Sequence, residues 1–218
     1  MKKKCAILLD RNNNWIGRQL NDTTFEKFTK YKFKIFYDYK KIKDFDIVFI
    51  LGYTKILAEK FIKKNNISLT IHNSNLPFYR GFSPLQQQIL SNKKKIGMCL
   101  IKVVKEVDRG PIILKDFLRL DGTELYNEIR EKQFILIVKL IKKFLKKFPN
   151  ITLKSQPNIN GSFFKRRKAS DQKLDITKSI KNQFNLMRIA NNEDWPCYFE
   201  FKNKRYILKI YQNDKRNS

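Results

Sequence analysis

The chain contains one histidine, His72, at the end of an apolar run, and an aspartate, Asp108, in a later turn sequence, Asp-Arg-Gly-Pro. A carboxylate beside an imidazole can orient the ring, select its tautomer and raise its basicity. His72 and Asp108 are therefore a candidate pair for proton transfer. The alternative is a structural histidine, with its hydrogen bonds satisfied, that takes no part in chemistry.

Polar side chains concentrate directly after His72, in the proline-marked stretch that contains Ser74, Asn75, Arg80 and Ser83. If His72 ends a parallel strand, these groups lie where open α/β sheets bind their ligands, beyond the carboxyl ends of the strands. This concentration of polar groups favours a functional site over a structural histidine.

Several other chemistries lack their sequence signatures. The first apolar run is followed by Arg-Asn-Asn-Asn-Trp rather than by a glycine-rich dinucleotide fingerprint, and the chain has no P-loop pattern. Cys5, Cys99 and Cys197 stand far apart, without metal-ligand spacing and in an odd number. We interpret them as buried thiols of a reducing cytosol and expect no metal.

The formal net charge of +27 allows two interpretations. One is a basic RNA- or DNA-binding module with a structural histidine. The other is a lysine-rich solvated surface, whose positive field attracts anionic small molecules. The lysines are dispersed and form no recognised nucleic-acid motif, so we expect no nucleic-acid partner.

The apolar pattern predicts neither a membrane-spanning segment nor a secretory leader. The apolar run after the initial lysines is too short for a leader, and lysines interrupt the apolar stretch 134–148. The expected location is the cytoplasm.

The elements that must position these groups alternate between strand and helix. The apolar patterns predict strands over residues 5–10, 32–37, 46–51, 68–72, 98–104 and 112–120. Helical spacing marks residues 56–64, 121–148 and 177–190, and the segments 197–201 and 205–210 predict a β-hairpin.

This order predicts an α/β fold with a mostly parallel sheet. We expect a core over residues 1–150, followed by a small α+β segment, 151–218, that contains the hairpin and is expected to help bind the ligand.

The motif around His72 resembles the signature of a known enzyme family. The matching positions are His72-x-Ser74-x-Leu76-Pro77-x-x-x-Gly81-x-Ser83-Pro84, then Asp108-x-Gly110, then Gly122-Thr123-Glu124-Leu125. In this order they resemble the formyltransferases that use N10-formyltetrahydrofolate. The resemblance covers about residues 1–145 and implies a Rossmann-like core, a folate co-substrate and no metal.

The later residues resemble the branch that N-formylates nucleotide-linked amino sugars for bacterial surface glycans such as the O-antigen of lipopolysaccharide. The resemblance rests on Asn14-Trp15, Phe164-Lys165-Arg166-Arg167, Asp171, Asn185-Leu186-x-Arg188, Asn192, Pro196-x-x-Phe199 and Tyr206-x-Leu208-Lys209. It implies a dTDP- or UDP-linked amino sugar as acceptor and, by analogy, a homodimer. A methionyl-tRNA acceptor, for which the C-terminal segment is short, and glycinamide ribonucleotide are the alternatives.

Two positions depart from the family pattern. The family generally has Asn two residues before the histidine and commonly Pro directly after it, where this chain has Thr70 and Asn73. The resemblance gives His72 and Asp108 catalytic roles, and either Thr70 or Asn73 would replace the missing amide donor. A catalytically silent relative is the further alternative.

The resemblance also implies binding residues. Folate is expected against Tyr53, Ile56, Leu57, Lys102, Val103, Val104, Val107 and Asp108. The acceptor is expected against Asn14, Trp15, Ser74, Tyr79, Arg80, Gly81, Arg166, Arg167, Asn185 and Arg188, with Arg166, Arg167 and Arg188 on the diphosphate because a guanidinium matches phosphate oxygens.

Overall fold

A computed structural model describes residues 2–159 and 161–213. The strands are β1 (Lys3–Leu9), β2 (Tyr31–Phe36), β3 (Ile47–Leu51), β4 (Ile67–His72), β5 (Arg80–Gly81), β6 (Lys95–Lys102), β7 (Ile112–Arg119), β8 (Phe163–Phe164), β9 (Cys197–Phe201) and β10 (Lys204–Leu208). The α-helices are α1 (Glu59–Lys64), α2 (Pro84–Leu90), α3 (Tyr126–Lys147) and α4 (Ile180–Arg188). Short 3-10 helices cover Arg11–Asn13, Asp22–Phe25, Tyr39–Lys41 and Ala169–Gln172.

Six strands form the central sheet in the order β2-β1-β3-β4-β6-β7. The pairings β1–β2, β1–β3 and β3–β4 are parallel, and β6 and β7 continue the sheet antiparallel. The predicted α/β fold with a mostly parallel sheet is confirmed, as is the small antiparallel hairpin β9–β10. Because β1, β3 and β4 run in one direction, their carboxyl ends meet at one edge, where His72 is the last residue of β4.

Apolar side chains cover both faces of the central strands, which explains their continuous apolar runs. On one face α3 packs against the sheet, and the Phe144 ring meets the Phe49 ring edge to face at 5.8 Å. On the other face Val48 and Ile50 pack with Phe61 of α1. No helix in the described part of the chain is long and apolar enough to cross a membrane.

The helix starts differ from the sequence prediction for identifiable reasons. The first predicted helix begins at Glu59 rather than at residue 56, because Ala58 is extended, with ψ at 139°. The long helix begins at Tyr126 rather than at residue 121. The carboxylate of Glu124 accepts instead from the N–H groups of Asp121 and Gly122, so it closes a turn ahead of the helix. Helix α2 was not predicted.

The segment after α3 makes several contacts with the sheet and its loops. Strand β8 pairs with β5, and Lys154 forms a β-bridge with Ile112. Arg188 of α4 donates to both the main-chain oxygen and the carboxylate of Glu124. The division at residue 150 stays a prediction, and residues 160 and 214–218 of the predicted second unit lie outside the described part.

The buried ion pair between Arg188 and Glu124 generates a prediction. Both side chains are nearly fully buried, and Glu124 also accepts from Lys132. Replacing Arg188 with Met leaves the Glu124 carboxylate undercompensated, so the free energy of unfolding should fall by about 3 kcal/mol in urea titrations. Arg119→Met, an exposed position on β7, is the matched control and should stay within about 0.5 kcal/mol. A loss of the same size in both variants would contradict this role.

Candidate active site

A cleft of about 960 Å³ opens at the carboxyl ends of β3 and β4. Its lining comes from both faces of the sheet, and we call the two parts of the lining the α1-side lobe and the α3-side lobe. The α1-side lobe is lined by side chains that include Tyr53, Leu57 and Val103, which pack with the Val48–Phe61 cluster. The α3-side lobe is lined by side chains that include Trp15, Tyr126, Arg130, Gln133 and Trp195.

His72 lies in the wall of this cleft, buried and held at both ring nitrogens. Its Nδ1 is 3.2 Å from Oδ1 of Asp108, and its Nε2 is 2.8 Å from the main-chain oxygen of Tyr79. Both neighbouring atoms are acceptors, so the doubly protonated ring satisfies both contacts. The structure therefore brings the two predicted catalytic side chains together, with the histidine ring fixed in plane and position.

Asp108 is held as tightly as His72. It adopts a left-handed conformation with φ of 58°, which is uncommon outside glycine and is maintained here by surrounding bonds. Its Oδ2 accepts from the Gly81 N–H at 3.0 Å, and Gln156 Nε2 donates to its main-chain oxygen at 2.7 Å. The loop after β4 and the segment after α3 thus both position this carboxylate.

The electrostatic surroundings keep Asp108 ionised. Burial acts to raise the pKa of Asp108, but the hydrogen bond and charge of the His72 ring outweigh it, helped by the Gly81 N–H and the charge of Arg80. The pKa of Asp108 therefore lies below its ordinary value, and the carboxylate is a weak base.

Two glycines allow the loops around the pair to approach closely. Gly81 has φ of +89°, and a Cβ there would collide with the main-chain oxygen of Phe164 across the β5–β8 pairing. A Cβ on Gly110 would overlap the main-chain oxygen of Lys102. The glycines of both sequence motifs are therefore required by packing.

The two candidates for the missing amide donor differ in what their polar atoms already contact. The hydroxyl of Thr70 donates its single hydrogen to the main-chain oxygen of Ile50 at 2.8 Å. Asn73 accepts at Oδ1 from Nε2 of Gln133 at 2.9 Å, and its Nδ2 has no partner among the described residues. Both residues line the cleft, and Asn73 has the uncommitted donor.

The expected folate residues all line the cleft: Tyr53, Ile56, Leu57, Lys102, Val103, Val104, Val107 and Asp108. Ile56 is 86% exposed and Val107 is 61% exposed, so the α1-side lobe presents apolar side chains that no part of the described protein covers. Such a surface suits a flat, largely apolar ligand group.

The expected acceptor residues divide into two sets. Those that line the cleft are Trp15, Gly81, Arg166 and Arg167. Those outside its lining are Asn14, Ser74, Tyr79, Arg80, Asn185 and Arg188.

The second set has protein partners. Arg80 donates to Gln156, Ser74 donates to the main-chain oxygen of Phe78, and Asn185 donates to Asn92. Asn14 donates to the hydroxyl of Tyr37, and the Tyr79 ring stacks on the Phe164 ring at 5.4 Å. Arg188 contacts Glu124 in place of the expected phosphate, because burial requires a carboxylate partner for its charge.

Sequence reasoning missed three polar residues that shape this region: Arg130, Gln133 and Gln156. Gln133 lies on the buried face of α3, four residues from both Ile129 and Ile137. A polar residue in an otherwise apolar helical stripe is a signal that could have identified it. Gln156 is in an irregular segment with no such pattern.

The comparisons with known proteins establish the family. Residues 2–141 match the family model described as formyl transferase, and the chain belongs to this family. The methionyl-tRNA formyltransferase of Thermotoga maritima is 31% identical over 146 residues, which are 66% of this chain and 47% of that protein. That of a Sulfurihydrogenibium species is 30% identical over 165 residues, 73% of this chain and 52% of that protein. The chain spans about half the length of these curated relatives.

Solved structures share the fold at low sequence identity. Methionyl-tRNA formyltransferase from Clostridium thermocellum has a TM-score of 0.80 at 19% identity and covers 100% of this chain and 96% of its own. A 4-N formyltransferase from Francisella tularensis has a TM-score of 0.71 at 17% identity, and the alignment covers 97% of this chain and 98% of that one. HypX from Aquifex aeolicus in complex with tetrahydrofolic acid has a TM-score of 0.72 at 13% identity, and the alignment covers 96% of this chain and 38% of that one.

Metal-binding clusters are absent from residues 2–159 and 161–213, where no group of three or more His, Cys, Asp or Glu side chains is placed to hold a metal ion. The three cysteines are free and buried, and burial raises the pKa of Cys5 to about 12.

The lowered pKa of Asp108 generates a prediction for stability against pH. Because its folded pKa is below its unfolded value of about 3.9, the carboxylate adds stability above that pH and loses it as the pH falls through the folded pKa. Asp108→Asn, which keeps the left-handed backbone accessible, should lower the melting temperature at pH 7. Between pH 5 and pH 3, the melting temperature of the variant should fall less than that of wild type.

The matched control is Asp22→Asn, an exposed aspartate. It should follow the wild-type curve of melting temperature against pH. If the Asp108→Asn curve is also parallel to wild type, the ionised pair does not stabilise the fold.

Proposed function

We propose that this protein transfers the formyl group of N10-formyltetrahydrofolate to the amino group of a dTDP- or UDP-linked amino sugar. The observation that carries the proposal is the His72–Asp108 pair, fixed in the wall of a cleft whose lining comes from both faces of the sheet. Two substrates that enter from opposite lobes would meet beside the histidine ring. Such a reaction would serve the assembly of surface glycans in the cytoplasm, and a homodimer remains part of the proposal by analogy.

The α1-side lobe suits the folate. Exposed Ile56 and Val107 offer apolar contact to a flat ring system, and Lys55, Lys102 and Lys105 in the lining offer charge to the carboxylates of its tail. Membership of the formyl transferase family and the bound tetrahydrofolic acid of the Aquifex protein support this assignment.

The α3-side lobe suits the acceptor. It combines the aromatic rings of Trp15, Tyr126 and Trp195 with the guanidinium groups of Arg130 and Arg166. Aromatic rings pack on sugars and bases, and guanidinium groups bind phosphate oxygens. A structure named as a sugar N-formyltransferase, from a Shewanella species, aligns over 98% of this chain and supports a sugar amine as acceptor.

The chemistry requires charge stabilisation at the formyl carbon. The neutral amine attacks this carbon, the new C–N bond forms, and negative charge grows on the formyl oxygen. The carbon–N10 bond then breaks, and the proton lost by the amine reaches N10 of the folate, through water. A preorganised donor or charge at the oxyanion contributes about 3 kcal/mol to such reactions.

His72 polarises the formyl oxygen in the proposed mechanism, because its ring is held between Asp108 and Tyr79 and needs no reorganisation during the reaction. Asp108 keeps the ring aligned. Its lowered pKa makes it a poor acceptor of the amine proton, which favours the orienting role over general base catalysis. The amide donor is Thr70 or Asn73, of which Asn73 has the free N–H group.

The folate site is tested at an exposed residue. Ile56→Asp should weaken tetrahydrofolate binding by about tenfold, since it puts a carboxylate on the apolar wall, and should leave the melting temperature unchanged because Ile56 is 86% exposed. Binding is measured by fluorescence titration. Ile180→Asp on α4, at 74% exposure and away from the cleft, is the matched control. If wild type, Ile56→Asp and Ile180→Asp bind tetrahydrofolate with equal affinity, the folate site lies elsewhere.

The acceptor is tested by mass spectrometry. The wild-type protein is incubated with N10-formyltetrahydrofolate and dTDP- or UDP-linked 3-amino and 4-amino sugars, methionyl-tRNA or glycinamide ribonucleotide. We expect one formyl group on an amino sugar, and a rate at least 100-fold lower for His72→Asn with unchanged folate affinity.

The methionyl-tRNA relatives make methionyl-tRNA the second candidate acceptor, and its exclusive formylation would refute the sugar assignment. A wild-type rate in the His72→Asn protein would refute the mechanism. Folate binding without turnover of any acceptor would indicate a catalytically silent protein. Salt-sensitive oligonucleotide binding without folate binding would support the nucleic-acid alternative.

A further inference from the structure

We infer that Arg130 of α3 is the anion-binding residue of the acceptor lobe and takes a phosphate oxygen of the nucleotide diphosphate. The inference rests on the proposed function for the identity of the acceptor and extends it to a residue outside the sequence motifs. It depends on three features of Arg130: how the guanidinium is held, how its charge is compensated and where it lies relative to His72.

The guanidinium of Arg130 is held in a defined plane. The ring of Trp15 is 4.6 Å from its central carbon and the ring of Tyr126 is 5.0 Å away. Its Nη1 donates to Oε1 of Gln133 at 2.8 Å. In the orientation that satisfies both ends of its amide, Gln86 accepts from Nη2 at 3.1 Å. Aromatic rings and neutral amides fix the group without neutralising it.

The charge of Arg130 is uncompensated. Within the described residues no carboxylate oxygen lies within 4.0 Å of its nitrogens, and its buried Nε has no hydrogen-bond partner. Arg188, which is buried against the turn that precedes α3, has Glu124 as a counter-ion. A partly buried cation with free N–H groups and no carboxylate stabilises a bound anion, because the anion supplies the missing charge and acceptors.

Phosphate is the anion that fits best. A planar guanidinium can donate two parallel hydrogen bonds to one phosphate group. Arg166, whose guanidinium lies 4.9 Å from the Phe82 ring, lines the same cleft and also has no carboxylate ion pair among the described residues. Arg130 and Arg166, two of the cleft's arginines without a carboxylate ion pair, match the charge of a diphosphate better than that of a single carboxylate.

The position of Arg130 connects the anion to the reacting amine. Arg130 donates to Gln133, Gln133 donates to Asn73, and Asn73 directly follows His72. Because a guanidinium only donates, this series of hydrogen bonds also orients the Gln133 amide. The NH₂ group of Asn73, at the end of the series, is left without a partner among the described residues. A diphosphate held by Arg130 therefore brings its attached sugar toward the His72 ring.

The inference is tested with Arg130→Met in the full chain, by calorimetric titration with dTDP, UDP and inorganic pyrophosphate. We expect dTDP or UDP to bind the variant at least about tenfold more weakly than wild type, while tetrahydrofolate affinity is unchanged. Arg130→Lys should restore less than half of the loss in binding free energy, because an ammonium lacks the guanidinium fork. With an amino-sugar substrate, KM should rise more than kcat falls.

Arg119→Met, which removes an equal charge from an exposed strand position outside the cleft, is the control. It should bind both nucleotides as wild type does. The inference is overturned if Arg130→Met keeps wild-type affinity, if Arg119→Met loses as much, or if wild type binds none of the three probes.

The two proposals can fail separately. Sugar formylation that survives in Arg130→Met with unchanged KM refutes the inference alone. Nucleotide binding that depends on Arg130, in a protein that formylates no sugar, supports the inference and refutes the proposed reaction.

Discussion

The contact between the His72 ring and the Asp108 carboxylate is the constraint on which the rest of the site depends. An imidazole enclosed by a carboxylate and a main-chain oxygen has one orientation, and burial strengthens both contacts by removing competing water. Burial alone would favour a protonated Asp108, but the ring charge, the Gly81 N–H and Arg80 keep it ionised. The pair is therefore an electrostatic element that is complete before any substrate arrives, which is the condition for preorganised catalysis.

Support for this pair comes from distant parts of the chain. Gln156, after the long helix, donates to the main-chain oxygens of Asp108 and Gly110 and accepts from Arg80. The short β5–β8 pairing holds the loop that carries Gly81. The residues that follow α3 thus contribute to the site whether or not they form a separate unit, because they hold the backbone of Asp108 and the loop that carries Gly81.

Most of the fold could be predicted from the sequence because its strands are continuous apolar runs and its helices have a clear period. The predicted strands agree with the structure within a few residues. The errors at α1 and α3 arose where backbone conformation or side-chain bonding overrode the pattern: Ala58 is extended, and the Glu124 carboxylate is used by a turn. Helix α2 contains three successive glutamines, of which Gln88 is buried, and it begins after Ser83, whose backbone is left-handed. Neither feature gives the apolar period of an amphipathic helix.

The amino-acid sequence by itself determined the parallel sheet, the place of His72 at a strand end and the pairing of its motif with the Asp108 turn, because these follow from local periodicity and from motif spacing. Only the tertiary structure decided which arginines line the cleft. Arg188 and Arg130 are alike as residues, yet one is neutralised by Glu124 and the other has only amides and aromatic rings around it. The charge of a side chain follows from its residue type. Whether a counter-ion neutralises that charge depends on neighbours that folding brings from elsewhere in the chain.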